Sequence, residues 1–211
     1  AHLNPAVNCA LATCGGFPGR RVAPYVMMQL AGAFAAAALL HAVFAGPLAA
    51  YEAAHGIVRG AAGSEASAMI FGEYFPNPGG RPLTAAARAL VPPGTAFGIE
   101  ALGTAILVLV ILCVSDGRNP ARPRELAAAT IGLTITLLIS LFAPLTQAGF
   151  NPARDLAPRV WSALAGWGSR PFTVNGWGWL TIYVLAPLVG GQLGGFFYRW
   201  FFKPGYAAIE G

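Results

Sequence analysis

The sequence predicts an all-α integral membrane protein built from two inverted halves, and three observations carry that expectation. Charged residues make up only 10% of its 211 residues, while hydrophobic ones reach 56%. Four apolar stretches are long enough to cross a bilayer. A short motif that opens an apolar segment of half that length occurs in each half of the chain.

A soluble domain carries about 25% charged residues, and a globule this poor in charge could not cover its surface. Disorder is excluded by the same apolar excess and a mean hydropathy of +0.59. The net charge is +5, yet the basic residues fall singly or in small groups between apolar stretches, where the positive-inside rule places them. No nucleic-acid partner is expected. Cys9, Cys14 and Cys113 are odd in number, lack metal-ligand spacing and sit in apolar surroundings, so they read as packing residues. Neither a metal nor a cofactor is expected. No nucleophile, base or metal cluster appears at workable spacing, which argues against an enzyme.

Taken in order, the chain opens at Ala1 with no initiator Met and no signal peptide, which suggests the inner part of a longer protein. Asn4-Pro5-Ala6 then starts a ten-residue apolar segment, Pro5–Cys14, which is half a bilayer. The first full span is Val22–Phe44, followed by a long outer loop over 45–92. Pro93–Val114 is the second span and Glu125–Ala143 the third. Asn151-Pro152-Ala153 opens a second half-length segment, Pro152–Trp161. Trp177–Phe202 is the last span, with Trp177, Trp179, Tyr198 and Trp200 suited to the two interfaces. Residues 1–44 read as the remainder of a first repeat and 93–211 as the second, in one domain over 1–211. Arg20, Arg21, Arg118, Arg122, Arg124, Arg199 and Lys203 fall on one side, which is expected to be cytoplasmic.

The repeat extends beyond the motif. Pro24 precedes Gln29-Leu30-Ala31-Gly32-Ala33-Phe34 as Pro187 precedes Gln192-Leu193-Gly194-Gly195-Phe196-Phe197. Three spans lie between the two copies, so the second enters from the opposite face. The two short helices are expected to meet head to head near the midplane, where inverted repeats place a pore or site.

In the motif, Asn caps a first-turn N–H and keeps its amide donors available. Pro at the first helical position gives up no needed donor, and Ala allows close approach. Each helix start carries a partial positive charge, of order +0.5. Two such ends facing each other repel cations, as half-helix dipoles do in selective membrane pores. Asn119-Pro120-Ala121 has no apolar half-helix after it and reads as a turn.

Arg154 is a charge inside a membrane segment, costly even on insertion scales at about 2.5–3.5 kcal/mol, and so a functional candidate by default. Its five donors suit a polar strip for hydroxyls or water. The competing reading is an interfacial pair with Asp155. Asp155 and Arg159 stand four apart, as a surface ion pair with a structural role. Glu100 is a lone carboxylate in a span. It is either a proton relay or an acceptor for unpaired loop N–H groups. With no second acid or His in register, the acceptor role is expected. His2 is expected to support the entry loop.

With Ala1-His2-Leu3-Asn4-Pro5-Ala6-Val7 and Gly149-Phe150-Asn151-Pro152-Ala153-Arg154-Asp155, the chain resembles the aquaporin (major intrinsic protein) family. It is most similar to the glycerol facilitator branch, with Asp155 after the pore Arg, Arg159 four further on, and outer-loop signatures such as Phe75-Pro76-Asn77-Pro78. The resemblance implies six full helices and two half-helices, of which the first two full helices would precede Ala1, and a homotetramer with one pore per subunit. The upstream part would add at least ~50 residues. It implies a constriction of Arg154, Ala148, Ile139 and a residue on an absent helix. Ile139 and Ala148 depart from the facilitator pattern and resemble nodulin-like members that pass water and small solutes. The implied function is a passive channel for glycerol and other small neutral solutes, with water expected as a second permeant, in a bacterial inner membrane. A water-dominated pore, or a broader one for urea, ammonia or a metalloid acid, stays open. So do a transporter coupled through Glu100 and a non-conducting membrane protein.

Overall fold

The computed structural model describes residues 2–209, and among these every regular element is helical. Helix α1 (Pro5–Cys14) starts where its cap dictates. Asn4 is extended at the N-cap, its Oδ1 accepts from the Ala6 N–H at 2.9 Å, and Pro5 takes the first position.

Helix α2 (Val22–Ala54) follows a 3-10 turn at Gly19–Arg21. It runs ten residues past the expected end at Phe44, so the 45–92 segment begins as helix. Pro47 removes only its own N–H from the ladder. Leu48 and Glu52, both buried, anchor the turns beyond it. At 1.5 Å per residue the helix is ~50 Å long, so its last turns stand clear of ~30 Å of hydrocarbon. The rest of the outer segment carries two short helices, α3 (Glu65–Ala68) and α4 (Ala85–Leu90).

Helix α5 (Pro93–Ser115) and helix α6 (Ala127–Thr146) are full spans. In α6 the hydroxyls of Thr130, Thr134, Thr136 and Ser140 each donate to the carbonyl four residues back, at 2.8–3.0 Å. That satisfies them without water. Between the two spans, Asn119 makes a turn: its Oδ1 accepts from the Ala121 N–H at 3.0 Å and its Nδ2 donates to the Cys113 carbonyl at 2.9 Å.

Helix α7 (Pro152–Ser162) runs into a π turn at Ala163–Trp167, and α8 (Arg170–Thr173) follows. The last helix, α9 (178–209), is continuous but passes through π turns at Thr181–Leu185 and Tyr198–Phe202. Pro187 and Pro204 come just after these turns, and each lacks the N–H that an α-ladder would need there.

Packing follows the repeat: α1 lies on α9 as α7 lies on α2, and α5 sits between α9 and α6. Two glycines permit the tightest crossing. A Cβ on Gly190 or Gly194 would fall 2.0 or 2.2 Å from the carbonyl oxygens of Ala101 and Ala105, so the α5 and α9 backbones touch, as small residues allow in membranes. The inner core joins Val7, Ala10 and Cys14 to Val108, Leu112 and Tyr198. An outer core holds Phe71, Tyr74 and Trp167 beneath the outer segment. By contrast α2 and α6 turn large apolar side chains outward, among them Leu39, Leu40, Leu133, Leu137 and Leu141. Such a surface suits hydrocarbon and not water.

Candidate functional site

The two half-helices meet N-terminus to N-terminus and hold each other by exchange. Asn4 Nδ2 donates to the Phe150 carbonyl at 2.8 Å, and Asn151 Nδ2 donates to the Leu3 carbonyl at 2.9 Å. Each Asn caps its own helix with Oδ1, Asn151 accepting from Ala153 N at 3.0 Å and Arg154 N at 3.3 Å. A primary amide has two N–H groups, so one per Asn is left over after the lock. The third Asn-Pro-Ala, at residue 119, takes no part.

A cleft of about 500 Å³ opens at this junction. It runs past His2, Asn4, Gly149, Phe150, Asn151 and Arg154 on its polar side. Its other side is apolar, formed by Leu107, Ile111, Ile131, Ile135 and Ile139, and Ser115 lies in the lining as well. Arg154, Ala148 and Ile139, named together on the resemblance alone, thus line one cavity.

The chain beside the cleft is bent into an unusual path. Gln147, Ala148 and Phe150 have φ of 61°, 55° and 51°, the left-handed region that costs a side-chain-bearing residue roughly 1–2 kcal/mol. Glu100, with 0% exposure, holds that path. Its Oε1 accepts from the Thr146 hydroxyl at 2.7 Å and the Gly149 N–H at 2.9 Å, and its Oε2 from the Phe150 N–H at 2.6 Å. Both oxygens are occupied by donors of the loop.

Arg154 does not pair with Asp155. Its Nη1 bonds Glu73 Oε1, from the outer segment. Nor is the Asp155–Arg159 pair on the surface: the two side chains are 0% and 2% exposed. Arg159 forks onto both Asp155 oxygens at 2.9 and 2.5 Å, and donates to the Pro171 and Glu73 carbonyls. Long-range partners, absent from a local i,i+4 reading, pull the pair inside. Burial pushes the Glu73 carboxyl well above the usual carboxylate range, with Arg154 opposing and Asp155 adding to the rise.

His2 packs its ring against Phe17 and Tyr25, at 4.9 and 5.7 Å between centroids, while its carbonyl accepts from Gln29 Nε2 at 2.7 Å. The sequence reading missed Glu73, although an acid inside Phe71-Gly72-Glu73-Tyr74-Phe75 was the available signal. It also missed Gln147, which accepts from Tyr74 N at 2.8 Å and donates to the Met69 carbonyl at 3.1 Å.

The family model described as major intrinsic protein matches residues 1–198. The chain belongs to the major intrinsic protein family. Within that family it is 39% identical over 200 residues to a "Glycerol uptake facilitator protein" of Pseudomonas aeruginosa, covering 94% of this chain and 67% of the relative. The Escherichia coli protein of the same description is 38% identical, with the same coverage. A "Propanediol uptake facilitator PduF" of Citrobacter freundii is 34% identical over 201 residues, 95% of this chain and 70% of the relative. The X-ray structure of the aquaglyceroporin from Plasmodium falciparum superimposes with a TM-score of 0.78 at 25% identity, over 99% of this chain and 75% of that one. Like other major intrinsic proteins, this one is a multi-pass integral membrane protein, with four helices long and apolar enough to span.

Proposed function

We propose that the protein is a passive channel for glycerol and other small neutral solutes, with water as a second permeant, in a bacterial plasma membrane. The observation that carries this reading is the head-to-head exchange of Asn4 and Asn151 at a cleft with one polar and one apolar side. A polyol has hydroxyls along one edge and carbon along the other, and the cleft offers a matching pair of surfaces. The spare amide hydrogens of Asn4 and Asn151 donate to the permeant at midplane. Arg154 donates near the outer end, where Ile139 and Ala148 face the carbon edge. The two opposed helix starts keep cations out. Glu100, Asp155 and Arg159 support this lining from behind, and His2 supports the entry loop at its edge. The relatives described as glycerol and propanediol facilitators favour the polyol reading, and a homotetramer is the assembly proposed from the family.

The test is stopped-flow light scattering on liposomes carrying the protein, with water and glycerol measured in one preparation. Rapid glycerol re-swelling that is lost in Arg154→Val supports the proposal. Fast water with glycerol at the bare-lipid rate makes this a water channel, and flux driven by a proton gradient makes it a transporter.

A further inference from the structure

The outer segment delivers an acid to Arg154 from a backbone held on both sides. The Glu73 N–H donates to Asp155 Oδ1 at 2.8 Å, and its carbonyl accepts from Arg159 Nη2. The next residue, Tyr74, is tied through its N–H to Gln147. On the other side Gly72 lies flat on Arg159, where a Cβ would come 3.2 Å from Arg159 Cβ and 3.3 Å from Cζ. The buried Asp155–Arg159 pair therefore acts as a clamp for residue 73. The clamped side chain is 6% exposed and meets Arg154, which is 47% exposed and lines the cleft. Glu73 Oε2 is buried and has no hydrogen-bond partner among the described residues.

We propose that Glu73 is a positioning residue for Arg154 whose protonation changes the ratio of water to polyol permeation, so that the selectivity of the channel depends on pH. This rests on the channel reading above. The groups around Glu73 are Arg154, Asp155 and Arg159 from α7, Tyr74 from its own segment, and Tyr183 of α9 on the far side of Arg159. His41 of α2 lines the neighbouring cavity with Glu73 but is engaged with Arg59 at 3.3 Å. Ionised, Glu73 holds the guanidinium in one place and neutralises its charge. Protonated, it leaves that charge uncompensated beside the cleft, and the donors bind whatever passes more tightly. Water in single file must break from the guanidinium at each step, whereas a polyol passes the donor from one hydroxyl to the next. The deeper well therefore slows water more. Burial raises the carboxyl, so the proton arrives at a higher pH than it would on an exposed carboxylate.

The experiment measures water and glycerol permeability of the full chain in liposomes at about pH 8 and about pH 5, with Glu73→Gln and Glu52→Gln alongside. Acidification is expected to lower water permeability about fivefold, equivalent to about 1 kcal/mol of barrier, and glycerol permeability by less. Glu73→Gln should sit at the acid ratio at both pH values, and Glu52→Gln, whose partner is Arg59, should keep the response. A glycerol-conducting channel with the same ratio at both pH values overturns the inference and leaves the channel reading standing. A response that persists in Glu73→Gln, or in which glycerol slows more than water, also overturns it. Absence of any permeability above bare lipid defeats both.

Discussion

Replacing Glu100 by Gln removes one acceptor from a site with no exposure and no spare partner. The remaining carbonyl oxygen best serves the Thr146 hydroxyl and the Gly149 N–H, which leaves the new amide N–H₂ pointing at the Phe150 N–H. One charge-assisted bond is lost, worth about 1.5–3 kcal/mol, and a buried donor is stranded at about 1–3 kcal/mol. Taking the low side of each gives about 2.5 kcal/mol, a fall in the unfolding midpoint of roughly 5–10 °C at 2–4 °C per kcal/mol. The left-handed path at Gln147, Ala148 and Phe150 then relaxes into the cleft. Thermal unfolding in detergent, followed by intrinsic fluorescence, reads the midpoint, and stopped-flow on the same sample reads glycerol flux. An unchanged midpoint would refute the reasoning, since it would mean the carboxylate is not holding that path. Unchanged stability with loss of a proton-driven flux would instead assign Glu100 to coupling.

Asn151→Asp keeps the helix cap, because a carboxylate also suits a helix N-terminus, but it loses the donor to Leu3 and adds a negative charge where the two positive ends meet. Planar-bilayer recording should show cation conductance absent from the parent. Gly194→Leu cannot seat α9 on α5, given the 2.2 Å approach to Ala105, and should yield no monodisperse peak in size-exclusion chromatography. The Arg118 side chain, hydrogen-bonded to Asp116, holds that carboxyl well below the usual carboxylate range, with Tyr198 adding to the effect. A lowered folded-state pKa gives stability that is present above the unfolded value and lost as pH falls through the folded one. Asp116→Asn should therefore unfold earlier than the parent at neutral pH, with the gap narrowing as unfolding is repeated at progressively more acid pH, below the ordinary carboxylate range.

Local features were legible where a cap or a proline writes them into the sequence. Helix α1 begins at Pro5 because Asn4 can cap and Pro5 cannot continue a ladder backwards, and both are visible in three letters. The four spans follow from length and hydropathy alone. The expected end at Phe44 falls short of the end of α2 because the distant burial of Leu48 and Glu52, which anchors the turns past Pro47, leaves no local mark in the sequence. The site divides the same way. Asn4, Asn151 and Arg154 stood out as polar groups in apolar segments, whereas Glu73 lies 81 residues from the Arg154 it bonds. Pairing across that distance leaves no periodicity to read. The Asp155–Arg159 spacing was visible, but its burial depends on Glu73 and Pro171, which approach from other parts of the chain.

The exchange between Asn4 and the Phe150 carbonyl joins residues 146 positions apart. A ribosome adding about 5–20 residues per second needs roughly 7–30 s to cover that interval. Until that interval has passed, the cap amide of the first half-helix has no Phe150 carbonyl to donate to and its positive end has no facing counterpart. The second half-helix emerges to find its counterpart already waiting, so the two copies of one motif pass through assembly under different conditions. An error in the early copy must be tolerated for that whole time, whereas an error in the late copy is exposed at once.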